Sequence, residues 1–241
     1  MLKTQVFADH EAVSRHASNW IIERLRQEPP ALLCLACGTT PMRTYQLLAQ
    51  EGAREPSLLG KCRVIKLDEW GGLPPGDPAT CEEQLRSTLI SPLRLDDRYI
   101  GFESQPHDPN AECARMATWL EQNGPIDLCV LGLGVNGHIG FNEPGPFLEP
   151  HAHVAQLSQA SLEHTMLRET KHRPVYGLTL GMADLLQSRQ VLLLVTGAAK
   201  REPLRRLLSG AITTEFPASL LPLHPNAVIL HDSAAASPQS L

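Results

Sequence analysis

Two titratable residues, His138 and Glu143, stand five positions apart in the segment LGLGVNGHIGFNEPG (131–145). A carboxylate that hydrogen-bonds one ring nitrogen of a histidine fixes the tautomer and raises the basicity of the other nitrogen, so this pair is typical of acid–base chemistry. A lone histidine is more often structural, but here His, Glu, Asn and Gly cluster after an apolar run, which favours a functional site. The same segment contributes an Asn-Gly turn and open backbone through Asn136, Gly137 and Gly134.

The glycines at 132, 134 and 137 also match a dinucleotide-binding fingerprint. In that fingerprint an amphipathic helix follows the last glycine. Here His138 and then Phe-Asn-Glu-Pro follow instead, which argues against a nucleotide site.

Two adjacent carboxylates, Asp68 and Glu69, follow an apolar run in KLDEWGGLP (66–74). Because side chains alternate along a strand, at most one of the two can face a site. A carboxylate at the tip of a strand is partly desolvated, which suits a general base. A helix cap or a salt bridge is the alternative for either residue.

The segments ACGTTP and LVTGAAKREPL each place a glycine between a predicted strand and a predicted helix. Hydroxyls and free N–H groups at a helix N-terminus suit a phosphate, which makes Gly38, Thr39 and Thr40 candidates for anion binding. Lys200 falls in the first turn of its helix, where it opposes the helix dipole unless an anion lies between them. The alternatives are an ordinary N-cap at Thr40 and a solvated Lys200.

Short apolar runs alternate with amphipathic stretches along the chain. Buried strands are predicted at residues 31–36, 62–67, 127–134, 175–181, 191–197 and 227–232, and helices at about 10–27, 41–51, 79–91, 108–123, 159–169, 182–188 and 198–209. This alternation predicts a Rossmann-like α/β fold in which helices cover both faces of a mainly parallel sheet, giving three layers, α/β/α. We expect one domain over residues 1–241. Ligands bind such sheets at the carboxyl ends of the strands, where all the candidate residues fall.

Composition narrows the function classes. The net charge of -5, from 21 basic and 26 acidic residues, argues against nucleic acid as a partner. No apolar run approaches the roughly 20 residues of a membrane span, and no secretory signal is present, so we expect a soluble, cytoplasmic protein. The scattered cysteines predict free thiols, and the Cys34/Cys37 pair lacks a second pair for zinc. We therefore expect no metal, no cofactor and a small-molecule ligand.

The blocks CGTTP, KLDEW, LGLGVNGHIGFNEPG and LVTGAAK resemble the glucosamine-6-phosphate deaminase superfamily in order and spacing over residues 30–205. That group includes galactosamine-6-phosphate isomerases and, more distantly, 6-phosphogluconolactonases. Within this group the chain is most similar to the galactosamine branch, and the similarity lies in KLDEW, ATCEEQL, SPL, DLCVLGLG and FPASLLPLH. The resemblance implies an enzyme that isomerises and deaminates a hexosamine 6-phosphate, foremost galactosamine 6-phosphate to tagatose 6-phosphate and ammonia.

Three other functions stay open from the sequence. They are a glucosamine-6-phosphate deaminase giving fructose 6-phosphate, a 6-phosphogluconolactonase, and a sugar-phosphate sensor without turnover. The resemblance also leaves a homo-oligomer open, because the family includes both small and hexameric assemblies.

The resemblance assigns roles to individual residues. It implies that Asp68 moves a proton between C2 and C1, that His138 assists opening of the sugar ring, and that Glu143 orients His138. It places the phosphate at the loop of Gly38, Thr39 and Thr40 and at Lys200. Glu69, Gly134 and Gly137 complete the residues expected to bind substrate.

Two residues depart from the family pattern. Asn136 stands where the deaminases usually have an aspartate, and the resemblance implies that it takes this catalytic position. One carboxylate that could pair with the catalytic histidine is therefore missing. A phosphate-binding arginine of the family falls on His164 here, with Arg168 one helical turn further on as a substitute. The polar stretch 158–174 predicts either a lid over the phosphate or a surface helix.

Overall fold

The computed structural model describes residues 2–27, 31–168 and 170–236. Seven strands form a parallel sheet, which in spatial order consists of β1 (Lys3–Phe7), β10 (Ala227–Asp232), β9 (Val191–Val195), β6 (Leu128–Gly132), β2 (Leu32–Leu35), β3 (Arg63–Lys66) and β5 (Tyr99–Ile100). The chain runs outward from β2 to β3 and β5, then returns to place β6 on the other side of β2. Connections therefore diverge between β2 and β6, and a cleft forms at such a switch point.

A second, antiparallel sheet contains β4 (Asp68–Gly71), β8 (Tyr176–Thr179) and β7 (His153–Ala155) in the order β4-β8-β7. The run 175–181 is thus a strand, as predicted, but its expected place in the parallel sheet is wrong. A continuous apolar run indicates burial and does not say which neighbour a strand pairs with. Pairing with β8 is what turns the chain away from the large sheet directly after β3.

The helices match the predicted positions with shifted ends. They are α1 (His10–Gln27), α2 (Thr39–Arg54), α3 (Cys81–Leu85), α4 (Pro109–Asn123), α5 (Gln159–Leu162), α6 (Met182–Leu186) and α7 (Arg201–Leu208). The stretch predicted as one helix over 159–169 is broken: α5 ends at Leu162, Glu163 has φ −92° and ψ 6°, and a 3-10 turn follows at Thr165–Arg168. Residue 169 lies outside the described residues.

Side chains of β2 point alternately into two separate cores. Leu33 and Leu35 join the core that α1 and α2 cover, whereas Leu32 and Cys34 join the core that α4, α6 and α7 cover. Each buried leucine contributes about 1.5–3 kcal/mol relative to an exposed one. Two cores on opposite faces of one parallel sheet confirm the predicted three-layer, Rossmann-like α/β fold.

A buried ion pair joins β3 to β4 and α3. The Lys66 ammonium, with a side chain that is 0% exposed, donates to Glu69 Oε2 at 2.7 Å, Glu82 Oε2 at 2.8 Å and the Phe102 carbonyl at 2.8 Å. The Glu69 carboxylate also accepts three backbone N–H groups, those of Trp70, Cys81 and Glu82. Glu69 is therefore not a substrate-binding residue: the prediction was wrong, and the alternative, a salt bridge, is what the structure contains.

We expect Glu69→Gln to lower the free energy of unfolding by about 3–5 kcal/mol, because it leaves Lys66 buried with one carboxylate partner fewer. Urea denaturation of the purified variant measures the change. Glu83→Gln on the same helix α3 is the matched control, since Glu83 is partly exposed and has no ion pair in the described chain, and it should change stability by less than about 0.5 kcal/mol. Equal effects of the two substitutions would contradict this role of Glu69.

Candidate active site

A cavity of about 530 Å³ opens at the carboxyl ends of β2, β6 and β9. This volume suits a small, drug-sized ligand. Most of the lining comes from five stretches of chain, within residues 36–41, 68–70, 132–141, 160–166 and 196–200. The structure thus brings together the four segments whose residue types indicated chemistry, and adds the stretch 160–166 as a further wall.

Asp68 lies at the cavity wall as the first residue of β4 and is 9% exposed. Its Oδ1 atom is buried and has no hydrogen-bond partner among the described residues. Burial, assisted by the adjacent Glu69 charge and opposed by Lys66, raises the pKa of Asp68 to about 7. A carboxylate that nothing else holds and that titrates near neutrality can take up and return a proton.

His138 follows β6 and presents its ring to the same cavity. Its Nδ1 atom lies 3.4 Å from Glu143 Oε2 and 3.2 Å from Ser161 Oγ, and Ser161 also donates to Glu143 Oε1. Burial alone would raise the pKa of Glu143, but hydrogen bonds from His138, Ser161 and Asn136 outweigh it and hold the pKa at about 2. Glu143 is therefore ionised at neutral pH and orients the imidazole from behind the cavity wall.

Asn136 lies behind the histidine and does not line the cavity. Its Nδ2 donates to Glu143 Oε2 at 2.9 Å and to Ser158 Oγ at 3.1 Å, while its Oδ1 accepts the His138 backbone N–H at 3.1 Å. An aspartate here would put a second carboxylate against Glu143. The expectation that Asn136 is itself catalytic is corrected: it positions Glu143 and the His138 backbone.

Gly134 and Gly137, both predicted to bind substrate, have different structural roles. A Cβ on Gly134 would lie 2.3 Å from His138 Cδ2, so only glycine leaves room for the imidazole at this cavity wall. Gly137, with φ +90°, packs against Phe216, where a Cβ would lie 2.0 Å from the ring. Gly137 does not line the cavity, so its expected binding role is wrong and its role is in the turn.

One end of the cavity suits an anion. Thr39 and Thr40 open helix α2 after Gly38, whose φ of 108° favours glycine. The first N–H groups of a helix have no partner within the helix and carry partial positive charge. The Gly38 N–H itself is occupied by Gln84 Oε1 at 3.1 Å. Thr39 and Thr40 are thus the residues of this loop left to a ligand.

Lys200 and His164 line this same end of the cavity. Burial lowers the pKa of Lys200, and its ammonium has no ion-pair partner within the described ranges. Burial, with smaller electrostatic contributions from Lys200 and His138, lowers the pKa of His164 to about 4. Because His164 Nδ1 accepts the Met166 N–H at 3.3 Å, the neutral ring carries its proton on Nε2 and can donate it to an anion.

Arg168 is exposed and does not line the cavity. The prediction that it substitutes for the family arginine is therefore not supported by its position, and His164 occupies that wall.

Hydrogen bonds hold the stretch 158–174 on both sides of residue 169, which lies outside the described residues. Ser158 and Ser161 bond Glu143, and further along Thr170 and His172 bond Asp77 Oδ2 at 2.6 Å and 2.7 Å. Residues 160–166 therefore wall the cavity from a fixed position. Whether the stretch opens as a lid stays a prediction.

Sequence reasoning missed several wall residues. Trp70 and Phe141 pack edge to face with ring centroids 4.5 Å apart, and Cys37 and Cys81 adjoin them. Trp70 stood within the KLDEW block and could have been found there. Ser161 had only one signal, its place one helical turn after Ser158 in a polar stretch.

The comparison with protein families decides the assignment. The family model for glucosamine-6-phosphate isomerases/6-phosphogluconolactonase matches residues 8–230. The chain belongs to this family. Among its relatives is AgaI of Escherichia coli (strain K12), provisionally named a deaminase, which is 41% identical over 228 residues, covering 94% of this chain and 90% of AgaI. A glucosamine-6-phosphate deaminase of Geobacillus sp. (strain WCH70) is 34% identical, covering 95% and 93% of the two chains.

Solved structures of the family agree with the fold. A monomeric glucosamine-6-phosphate deaminase superimposes with a TM-score of 0.92 at 32% identity, covering 97% of this chain and 98% of that one. The 6-phosphogluconolactonase of Trypanosoma brucei reaches a TM-score of 0.80 at 22% identity over 98% and 97%, a likeness of fold alone. Like its family, the chain is an amino-sugar-phosphate deaminase/isomerase-type enzyme.

No helix among the described residues has the length and apolar character that a membrane span requires.

We expect Asp68→Asn to stabilise the protein in a pH-dependent way. The raised pKa means that folded Asp68 keeps its proton above pH 4, so wild-type stability falls as pH rises from about 4 to about 7. The variant lacks this loss and should be more stable by about 2–4 kcal/mol at pH 8, with the difference vanishing near pH 4. Denaturation at both pH values measures it. The exposed Asp97→Asn is the control, and a difference at Asp68 that did not vary with pH would contradict the assignment.

Proposed function

We propose that the protein deaminates a hexosamine 6-phosphate to a ketose 6-phosphate and ammonia, with galactosamine 6-phosphate as the foremost substrate. One observation carries the proposal: the Asp68 carboxylate, whose Oδ1 has no hydrogen-bond partner among the described residues, shares a cavity with His138 and Lys200. A base, a proton shuttle and a cationic end are the three groups that this reaction needs. The 41% identity with AgaI supports deamination. The galacto substrate is supported by the resemblance of blocks such as KLDEW and FPASLLPLH to the galactosamine branch.

The phosphate enters first in this proposal. Lys200, the His164 Nε2–H and the first turn of α2 hold it, since each offers a donor without a partner among the described residues. His138 then takes the proton of the anomeric hydroxyl and returns it to the ring oxygen, which gives the open aldehyde. The ionised Glu143 balances the positive charge that the His138 imidazole carries between these two proton transfers.

Asp68 acts on the open chain. It takes the proton from C2, which the C1 carbonyl has made acidic, and the electron pair of the C–H bond forms the C1–C2 double bond of an enolamine. The π electrons of the carbonyl move to O1, which takes a proton from the ammonium group of the substrate. Asp68 returns the proton to C1, leaving an imine at C2. Water adds to the imine carbon and ammonia leaves, giving the 2-ketose 6-phosphate. A carboxylic acid with a pKa of about 7 can both accept and return the proton at neutral pH.

A lactonase is the second enzyme class that this fold supports. Lactone hydrolysis needs a base that activates water and has no step at a carbon acid. Only the deaminase uses the Asp68 carboxylate in both directions, first to take a proton and then to return it. The relatives named deaminases reach 34–41% identity, whereas the lactonase structure stands at 22%.

The decisive assay offers galactosamine 6-phosphate, glucosamine 6-phosphate and 6-phosphogluconolactone side by side and measures ammonia and acid release. We expect ammonia from the hexosamine phosphates, fastest from the galacto epimer. Asp68→Asn should lose at least about 10²-fold in kcat while KM changes little, because general acid–base steps contribute about 10²–10⁴-fold. Acid release from the lactone without ammonia from either amino sugar would overturn the proposal, and normal turnover of the Asp68 variant would overturn the assigned base.

We expect His164→Ala to raise KM roughly 10- to 100-fold with kcat nearly unchanged, because a hydrogen bond to a charged group contributes about 1.5–3 kcal/mol to binding. His164→Arg should restore a low KM by supplying the charge that the family usually places here. Arg168→Ala is the matched control and should change neither constant, since Arg168 does not line the cavity. Initial rates across substrate concentrations measure all three variants. A larger rise in KM for Arg168→Ala than for His164→Ala would show that the phosphate does not bind at His164.

A further inference from the structure

Ser161 contacts both members of the histidine–carboxylate pair. It lies on α5, is 1% exposed and lines the cavity. Its Oγ atom donates to Glu143 Oε1 and lies 3.2 Å from His138 Nδ1 and 3.3 Å from Ser158 Oγ. No motif of the sequence singles out this residue.

Counting protons in this cluster fixes the state of the histidine. A serine hydroxyl has one proton to donate and two lone pairs to accept with. Glu143 is ionised and can only accept, so the Ser161 proton goes to Glu143. The two lone pairs of Ser161 then accept from the Ser158 hydroxyl and from His138 Nδ1. The neutral imidazole therefore carries its proton on Nδ1 and leaves Nε2 unprotonated.

The direct contact between His138 and Glu143 is the weaker one. The Nδ1 to Oε2 distance is 3.4 Å, at the long limit for a hydrogen bond, whereas the route through Ser161 uses a 3.2 Å contact and the bond to Glu143. Gly134 bounds the other side of the ring, where a Cβ would lie 2.5 Å from Nε2. Without the Ser161 hydroxyl, the imidazole would lose the nearer of its two acceptors.

We infer that Ser161 is a positioning residue for acid–base chemistry at His138: its hydroxyl holds the imidazole in the Nδ1–H tautomer and leaves Nε2 as the working nitrogen in the cavity. The inference names a residue beyond the family pair of His138 and Glu143. It rests on the proposed function for the step that it serves, ring opening of the sugar, whereas the tautomer follows from the contacts alone.

The tautomer has a chemical consequence for that step. An unprotonated Nε2 accepts the proton of the anomeric hydroxyl, the ring becomes an imidazolium, and Nε2 gives the proton to the ring oxygen as the C1–O5 bond breaks. Nδ1 keeps its proton throughout. Ser161 accepts a hydrogen bond from Nδ1–H and donates one to Glu143, so it links the imidazolium to the carboxylate that stabilises its charge. The other tautomer would present an N–H to a hydroxyl that has to lose its proton.

The test compares Ser161→Ala with Ser161→Thr, which keeps a hydroxyl, and with Gln159→Ala, an exposed neighbour on α5 that does not line the cavity. We expect Ser161→Ala to lower kcat for the cyclic hexosamine 6-phosphate roughly 10- to 100-fold. The inhibition constant of an open-chain 2-amino-2-deoxyhexitol 6-phosphate should stay within about twofold, because that ligand needs no ring opening. Ser161→Thr should recover most of kcat, and Gln159→Ala should match the wild type.

A second readout does not depend on turnover. In ¹⁵N-histidine NMR spectra, with His138→Gln to assign the signal, the wild type should show His138 as the Nδ1–H tautomer and Ser161→Ala should show a mixture. An unchanged tautomer, or a parallel loss of kcat and of inhibitor affinity, would overturn the inference and make Ser161 merely structural. If the wild type releases no ammonia from any hexosamine 6-phosphate, the proposed function fails, and the NMR comparison still decides the role of Ser161.

Discussion

Lys66 and Glu69 form an ion pair with no exposed surface, and the geometry of the cavity follows from it. Three backbone N–H groups and one ammonium satisfy the Glu69 carboxylate, so this residue binds the end of β3 and the start of α3 to β4. Alternation along β4 then turns Asp68 to the other side, towards the cavity. The same burial that makes the ion pair strong leaves Asp68 without a partner and raises its pKa to about 7.

The cavity keeps its working groups unsatisfied at some cost in stability. Asp68 has a buried oxygen without a hydrogen bond, and Lys200 has no ion pair in the part of the chain described. A buried charge or polar atom without a partner disfavours the folded state, so such groups are retained where a ligand supplies the partner. His138 is the exception, since Ser161 and Glu143 contact its Nδ1 atom and hold the neutral ring in one tautomer.

The alternation of apolar runs and amphipathic stretches predicted the layers of the fold but did not predict how every strand pairs. The run around β8 read correctly as buried, yet its pairing with β4 depends on contacts more than 100 residues apart in the chain. Alternation predicted that only one of Asp68 and Glu69 faces the site and could not say which. Glycines alone did not separate Gly134, at the cavity, from Gly137, packed on Phe216. Ser161 escaped notice because its partners come from a loop about 20 residues earlier, and no local pattern records such a contact.

The most direct measurement is a crystal structure of the protein with an open-chain 2-amino-2-deoxyhexitol 6-phosphate bound. We expect the phosphate at Lys200, His164 and the first turn of α2, with C1 and C2 beside the Asp68 carboxylate and O5 within hydrogen-bond distance of His138 Nε2. A phosphate bound elsewhere in the cavity, or an Asp68 carboxylate turned away from C1 and C2, would contradict the account.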